Sequence, residues 1–347
     1  MQKLLTIVIP TYNMQDYLRV GLDSLVVSSE WMPMLEVLVI NDGSKDNSSA
    51  IAHEYEARYP ETFRVIDKEN GNYGSCVNRG LKEATGKYIK LLDADDWYDT
   101  AALEQLMSAL QTHDVDMALS PFMCCYEDGM ENQLVTQAEL QPEVVYIFNK
   151  LDTNTIARYG MPMITYRTEL LRKIQYVQTE GMSYTDTEWV MFPQYTVDTF
   201  VWVPSAVYCY RLGREGQTMD ANVLAKNIWK YEVIAWSLIE NSRKYPHKEQ
   251  YPLAEEFNIQ QITFLAENIY RMFLVLVRPT KEDTERLKHF DAYLKEACPE
   301  AYRRVGLSPM KKWLPLRYVK LWRATGWRLP VDAVREIYRR VKHGRKG

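Results

Sequence analysis

The sequence predicts an α/β protein, with a parallel sheet formed by its first hundred residues and a mainly helical C-terminal extension. Two observations carry this reading. Up to residue 92, short apolar runs rich in β-branched residues alternate with stretches of helical periodicity. From Ala221 to Val277 the period is helical and the stretch is rich in aromatics. Strand, helix, strand, helix in succession requires crossovers, and right-handed crossovers give parallel neighbours.

Residues 4–9, LLTIVI, read as a buried strand stopped by Pro10. Within 17–27, Leu18, Leu22, Leu25 and Val26 stand at helical spacing. LEVLVI, residues 35–40, is a second buried strand, broken at once by Asn41-Asp42-Gly43-Ser44. Asp46-Asn47-Ser48 can cap a helix whose face carries Ile51 and Tyr55. Phe63 to Ile66 is a third strand, Gly71 to Gly74 a loop, and 75–85 a helix. Tyr88 to Leu92 is a fourth strand, running into Asp93-Ala94-Asp95-Asp96. The pattern then loosens: strands over 115–122 and 201–210, a short strand and helix over 162–175, and a helix over 282–297. The polar breaks fall at the carboxyl ends of the strands, where open parallel sheets bind nucleotides.

A chain of 347 residues has room for about two domains. We divide it into residues 1–215, with halves 1–100 and 101–215, a helical subdomain over 216–300, and a tail over 301–347. The five cysteines, Cys76, Cys124, Cys125, Cys209 and Cys298, are odd in number and lack C-x-x-C spacing. They read as reduced thiols, with no zinc site. Leu4 to Pro10 is too short for a signal peptide, and no run reaches the roughly 18 apolar residues of a membrane span. The expected location is the cytoplasm, or the inner face of a membrane without crossing it.

Four constellations carry chemistry. Asp93, Asp95 and Asp96 repel one another at a strand end, which either a hard cation or solvent at a helix N-terminus relieves. Mn2+ or Mg2+ suits the first case, with Asp95 as ligand and Asp93 supporting the metal or binding ribose. Asp42 can accept the N3–H of a uracil ring, or cap the turn with Gly43. In Pro10-Thr11-Tyr12-Asn13, Tyr12 can pack on a base or simply on protein. Gly74, in Asn72-Tyr73-Gly74, permits close backbone approach to a ligand, or marks a loop entering a helix.

Their order matters more than any one of them. IVIPTYN, VLVINDGSKDNS, NYGSCVNRG and GKYIKLLDADDW follow one another within a hundred residues. In this the chain resembles the family 2 glycosyltransferases of bacteria, and the resemblance covers about residues 3–215. It implies the GT-A nucleotide-diphospho-sugar transferase fold. It also implies an inverting transfer from a nucleoside diphosphate sugar, UDP-sugar first, with Asp93 and Asp95 as the D-x-D metal motif. Pro10, Thr11, Tyr12, Asn13, Asp42, Asn72, Gly74, Asp93 and Ala94 are then donor-binding. The acceptor would be a glycan or a lipid-linked hydroxyl in cell-surface polysaccharide synthesis.

Inversion needs one base. The family places an acidic pair near this point, and Thr185-Asp186 keeps the second acid, so Asp186 is the candidate and Glu188 its rival. An N-cap role for Asp186 is the structural alternative. Arg211 or Arg214, with Gln217 or Thr218, would neutralise the leaving diphosphate; we assign Arg211. The region 216–300 departs from the family core and is either a frame for the acceptor or a dimer surface.

The net charge of −4 hides an asymmetry. Residues 303–347 carry 14 Lys and Arg against 2 Asp and Glu, a charge of +12, which leaves −16 on the remainder. Trp313, Tyr318, Trp322 and Trp327 are interleaved with Lys311, Lys312, Arg317, Lys320, Arg323 and Arg328. This tail reads as contact with an anionic membrane, or as basic helices docked on the protein's own acidic surface. No nucleic-acid module is visible. A nucleotidyltransferase would need a Gly-rich basic loop where PTYNMQD stands, and no G-x-G-x-x-G supports a dehydrogenase. The non-enzyme alternative is a GT-A-like carbohydrate-binding scaffold that has lost catalysis.

Overall fold

The computed structural model describes residues 2–213, 221–276, 280–309 and 317–327, without the side chains of 221–226 and 276. The chain divides into two compact units, residues 1–217 with 247–254, and residues 218–246 with 255–347.

The first unit opens with β1 (Leu5–Thr11), α1 (Leu18–Ser24), β2 (Leu35–Asn41), α2 (Ser48–Arg58), β3 (Phe63–Asp67), α3 (Asn72–Glu83) and β4 (Tyr88–Leu91). Then come β5 (Trp97–Tyr98), α4 (Thr100–Thr112), β6 (Met117–Leu119), β7 (Phe122–Tyr126), β8 (Gln133–Val135), β9 (Val145–Ile147) and β10 (Ile164–Arg167). It ends with α5 (Thr168–Lys173), α6 (Asp186–Met191), β11 (Thr199–Trp202) and β12 (Tyr208–Leu212). The main sheet has the order β3-β2-β1-β4-β10-β6-β11-β9, and a smaller one the order β5-β12-β7-β8. The first four strands are parallel, as the alternating pattern predicts. β1 and β2 are buried on both faces, which is why they read as continuous apolar runs. The chain builds outward from β1 to β2 and β3, then returns through α3 to β4 on the other side of β1. That reversal opens a crevice between the carboxyl ends of β1 and β4.

Three expectations need correction. The segment 115–122 is two strands in different sheets, because Pro121 lacks the N–H that a continuing ladder needs. Likewise 201–210 is split around Pro204 into the end of β11 and the start of β12. The residues Asn72-Tyr73-Gly74 are the first turn of α3 rather than a loop. Asp42 accepts from the N–H groups of Gly71 and Asn72, each at 2.9 Å, so the helix start is capped from the end of another strand. Nothing local to residues 71–74 could reveal this.

Lys90 on β4 is fully buried, and its Nζ donates to the carbonyls of Pro162 (2.7 Å) and Ile164 (3.1 Å), tying the segment before β10 to β4. Burial pushes its pKa down to about 7. The unfolded chain, with an ordinary lysine near 10.4, therefore binds more protons between those values, so stability rises with pH across that window. We expect urea unfolding to show this rise from about pH 7 towards pH 10, and Lys90→Met to flatten it.

The second unit holds α7 (Ala221–Arg243), most of α8 (Pro252–Arg271), a π-helical turn over Met272–Leu276, α9 (Lys281–Ala297), α10 (Pro299–Leu307) and α11 (Tyr318–Thr325). The Thr280 and Asp283 side chains form a reciprocal capping box on α9. Part of the basic tail is spent inside this unit. Tyr318 and Trp322 are buried, which removes them from the aromatic set read as membrane-facing. Arg323 donates to Asp291 at 2.7 Å and lies 3.4 Å from the centre of the Tyr302 ring, and Arg304 makes two bonds to Glu256. Trp327 remains 50% exposed. Residues 310–316 and 328–347, with Trp313, Lys311, Lys312 and Arg328, lie outside the described residues. Among the described residues no helix is long and apolar enough to cross a membrane.

Candidate active site

The site gathers around the N-terminus of α3, at the crevice beside β1 and β4. On one side is the loop after β1. Pro10 and Thr11 finish the strand in register with Ile40 and Asn41, and Thr11 is buried. Tyr12 is 45% exposed. Asn13 holds a left-handed φ of 53° and clasps the loop after β2: its N–H donates to Ser44 Oγ, and its Oδ1 accepts from the Lys45 N–H at 2.8 Å. Gln15 and Asp46 extend the clasp, with the Gln15 N–H donating to Asp46 and the Asn47 N–H to Gln15. The Asn13 oxygen is thus used to hold the loop that presents Tyr12. An open cavity of about 510 Å3 lies here, lined by Tyr12, Gly43, Lys45, Asp67, Lys68, Glu69 and Asn70.

Asp42 is buried at the floor of this region. Besides the two N–H groups of the α3 start, its Oδ1 accepts from Lys68 Nζ at 2.5 Å. It caps α3, not the turn with Gly43. Oδ1 takes two of these bonds and Oδ2 one. The Cys76 thiol is a further hydrogen-bond partner of this carboxylate. Asn72 tolerates its left-handed φ of 66°, as asparagine can.

Gly74 has a protein neighbour that requires a glycine. A Cβ on Gly74 would stand 2.0 Å from the Thr179 carbonyl oxygen. The glycine therefore admits the backbone of residues 178–179. Asn78, one turn further along α3, fastens the same segment: its Nδ2 donates to Gln178 O and Glu180, and its Oδ1 accepts from the Gln178 N–H. Gly74→Ala must push that segment away. We expect it to lower stability by about 1–3 kcal/mol, as overpacking does, which chemical denaturation would measure.

The fastened segment leads to Asp186. Gln178 donates to Thr185 Oγ1, and Glu188 accepts from the Thr179 N–H (2.7 Å) and hydroxyl (2.8 Å). Glu188 is fully buried, and its two bonds brace this segment. Asp186 is the first residue of α6 behind the N-cap Thr185, so it is not itself the cap. It is exposed to solvent at the head of the helix. Burial raises its pKa above the ordinary aspartate value, against the stabilising backbone N–H groups of Asp186 and Thr187. Tyr184, two residues earlier, has a φ of 71°, a costly conformation for a bulky residue.

On the other side of α3, Tyr73 donates to Asp93 Oδ1 at 2.9 Å. Asp93 and Asp95 are part-exposed, and Ala94 between them is buried. Burial, then the charge of Asp95, pushes Asp93 up to about 7, with Asp186 adding to it. Asp96 is buried and accepts from Tyr208 (2.6 Å) and from the Arg211 N–H (2.7 Å). Burial and the charges of Asp93 and Asp95 push it up to about 9. Asp96 therefore belongs to the interior, whereas Asp93 and Asp95 face the crevice side. Among the described residues no group of three or more His, Cys, Asp or Glu is arranged to hold a metal ion by itself. Two crowded carboxylates fit Mg2+ or Mn2+, which takes one or two carboxylates and fills its shell with phosphate and water oxygens.

Arg211 is the residue that the sequence assigns to the diphosphate. Its guanidinium donates to the Asp95 carbonyl (2.7 Å) and to Glu127 (2.6 Å), and lies between the rings of Trp97 (4.8 Å) and Tyr17 (5.0 Å). These contacts tie the acidic loop to β12 and give the side chain a structural duty. Arg214, Gln217 and Thr218 lie outside the described residues. Sequence reading missed Lys68, Tyr73 and Tyr208, whose partners are 20 or more residues away.

Residues 6–175 match the model of glycosyl transferase family 2. An uncharacterized glycosyltransferase of Mycoplasma pneumoniae is 39% identical over 123 residues, 35% of this chain and 40% of that protein. The minor teichoic acid biosynthesis protein GgaB of Bacillus subtilis is 25% identical over 325 residues, 86% of this chain. The chain covers only 35% of the length of GgaB. The crystal structure of S. aureus TarS 1–349 in complex with UDP-GlcNAc superposes with a TM-score of 0.66 at 19% identity, covering 98% of this chain and 92% of that one. The shared architecture is the GT-A fold followed by a helical C-terminal part. The four ordered motifs gathered at one crevice all lie within residues 6–175, the part of the chain that matches glycosyl transferase family 2.

Proposed function

We propose that this protein is an inverting glycosyltransferase that moves a sugar from a UDP-sugar to a hydroxyl of a glycan or lipid-linked acceptor in bacterial cell-surface polysaccharide synthesis. The observation that carries this reading is the gathering of an exposed Tyr12, the crowded pair Asp93 and Asp95, and the solvent-exposed Asp186 around one helix start. Tyr12 would stack on the base and Asp42 would take the N3–H of uracil. Asp93 and Asp95 would hold Mn2+ or Mg2+, which when bound neutralises charge on the leaving diphosphate. Asp186 would take the proton of the acceptor hydroxyl, its raised pKa making it a better base at neutral pH than an ordinary aspartate. The names of GgaB and of TarS, a poly(ribitol-phosphate) β-N-acetylglucosaminyltransferase, support an acceptor from the teichoic class. Basic residues of the tail, with exposed Trp327, would hold the enzyme at an anionic membrane on its inner face.

The test supplies purified protein with UDP-, GDP- and dTDP-sugars, Mn2+, and teichoic-type acceptors, and follows nucleoside diphosphate release and product anomeric configuration. Release with one UDP-sugar and an inverted product is expected. Nucleotide binding without release from any donor and acceptor pair would favour the scaffold reading.

A further inference from the structure

Tyr210 has a position that the donor and base assignments leave unused. It lies on β12 two residues after Tyr208, so the two side chains leave the same face of the strand. Tyr208 on that face reaches Asp96 and the Asp93 N–H. Neighbouring phenols are spent on protein: Tyr73 on Asp93, Tyr208 on Asp96, and Tyr98 on the Leu91 carbonyl. The Tyr210 side chain is half-buried, and among the described residues its hydroxyl has no hydrogen-bond partner. Burial, followed by the charges of Asp96, Asp93, Asp95 and Asp186, holds the proton on this phenol. The hydroxyl is therefore a neutral donor on the strand face that carries Tyr208 to the acidic loop.

In an inverting displacement the base, the acceptor oxygen, the anomeric carbon and the leaving diphosphate stand roughly in line. The sugar ring must then occupy the space between Asp186 and the pair Asp93 and Asp95. We propose that the Tyr210 hydroxyl hydrogen-bonds the ring substituents of the donor sugar and helps decide which sugar is accepted. This rests on the donor reading above. A hydroxyl aimed into a site rejects a sugar that leaves it unpaired, which gives one side chain leverage on specificity.

Calorimetric titration of Tyr210→Phe and wild type, each with Mn2+, compares UDP with UDP-N-acetylglucosamine and UDP-glucose. A thermal melt shows that the variant, one oxygen smaller, is folded. The expected result is about a tenfold weaker affinity for the preferred UDP-sugar, with UDP unchanged. Unchanged affinity for every UDP-sugar overturns the assignment. Equal weakening for UDP and the UDP-sugar also overturns it, because the hydroxyl would then act on the diphosphate or on the fold. A wild type that binds neither UDP nor any UDP-sugar removes the donor reading itself, and the Tyr210 role with it.

Discussion

Asp186→Asn is expected to lower kcat by about 10²–10⁴-fold, the usual worth of a general base, while leaving nucleoside diphosphate affinity unchanged. The substitution keeps shape and removes only the capacity to accept a proton. Asp186 heads α6 and is solvent-exposed, so its loss leaves no buried partner orphaned. Glu188→Gln provides the contrast. Glu188 is buried and accepts two bonds from Thr179, so its amide should destabilise the segment that carries Asp186. The two variants separate a chemical role from a bracing one: Asp186→Asn loses turnover with an unchanged melting temperature, and Glu188→Gln loses stability. The pH profile follows the same logic. The base must be ionised, and burial raises its pKa, so kcat should fall on the acid side at a pH above the ordinary aspartate value. Turnover measured from pH 4 to 8 would show the limb.

Asp95→Ala is expected to abolish the effect of Mn2+ on nucleotide affinity. Second partners of metal ligands are worth roughly 10–100-fold in metal affinity, so losing a ligand should cost at least about a hundredfold. Asp93 was pushed up to about 7 partly by the charge of Asp95. Removing that charge relieves repulsion, so the variant should be no less stable than wild type without metal. Loss of metal-dependent binding with retained stability would mark the carboxylate as functional. Equal binding in Mn2+ and EDTA for both proteins would remove the metal from the donor site. Asp96→Asn should behave differently, because Asp96 is buried against Tyr208 and the Arg211 N–H and its loss falls on the loop itself.

Much of the first hundred residues was legible because their order follows local rules. β1 to β4 are short apolar runs with polar stops, and the stops after β1, β2 and β4 report crevice residues directly. Asp42, Asp93 and Asp95 could be singled out for the same reason. What could not be read was the work of partners distant in sequence. Asp42 caps a helix 30 residues later, so the loop expected at 71–74 became a helix start. Gly74 makes room for Thr179, a contact 105 residues away, and no local signal separates that from room for a ligand. Pro121 and Pro204 were visible, but that each diverts the chain into a second sheet depends on tertiary pairing. The aromatics of the tail show the same limit from the other direction. Tyr318 and Trp322 share an interleaved pattern with Trp327, yet the first two are core and the third is exposed.

We propose that the crevice beside α3 holds a nucleoside diphosphate through Tyr12, Asp42 and a metal on Asp93 and Asp95. Calorimetric titration of the folded wild type with UDP, GDP and dTDP, in Mn2+ and again in EDTA, tests it most directly. UDP is expected to bind in Mn2+ and to be lost in EDTA, with GDP and dTDP weaker. Absence of binding by all three nucleotides in both conditions would contradict it.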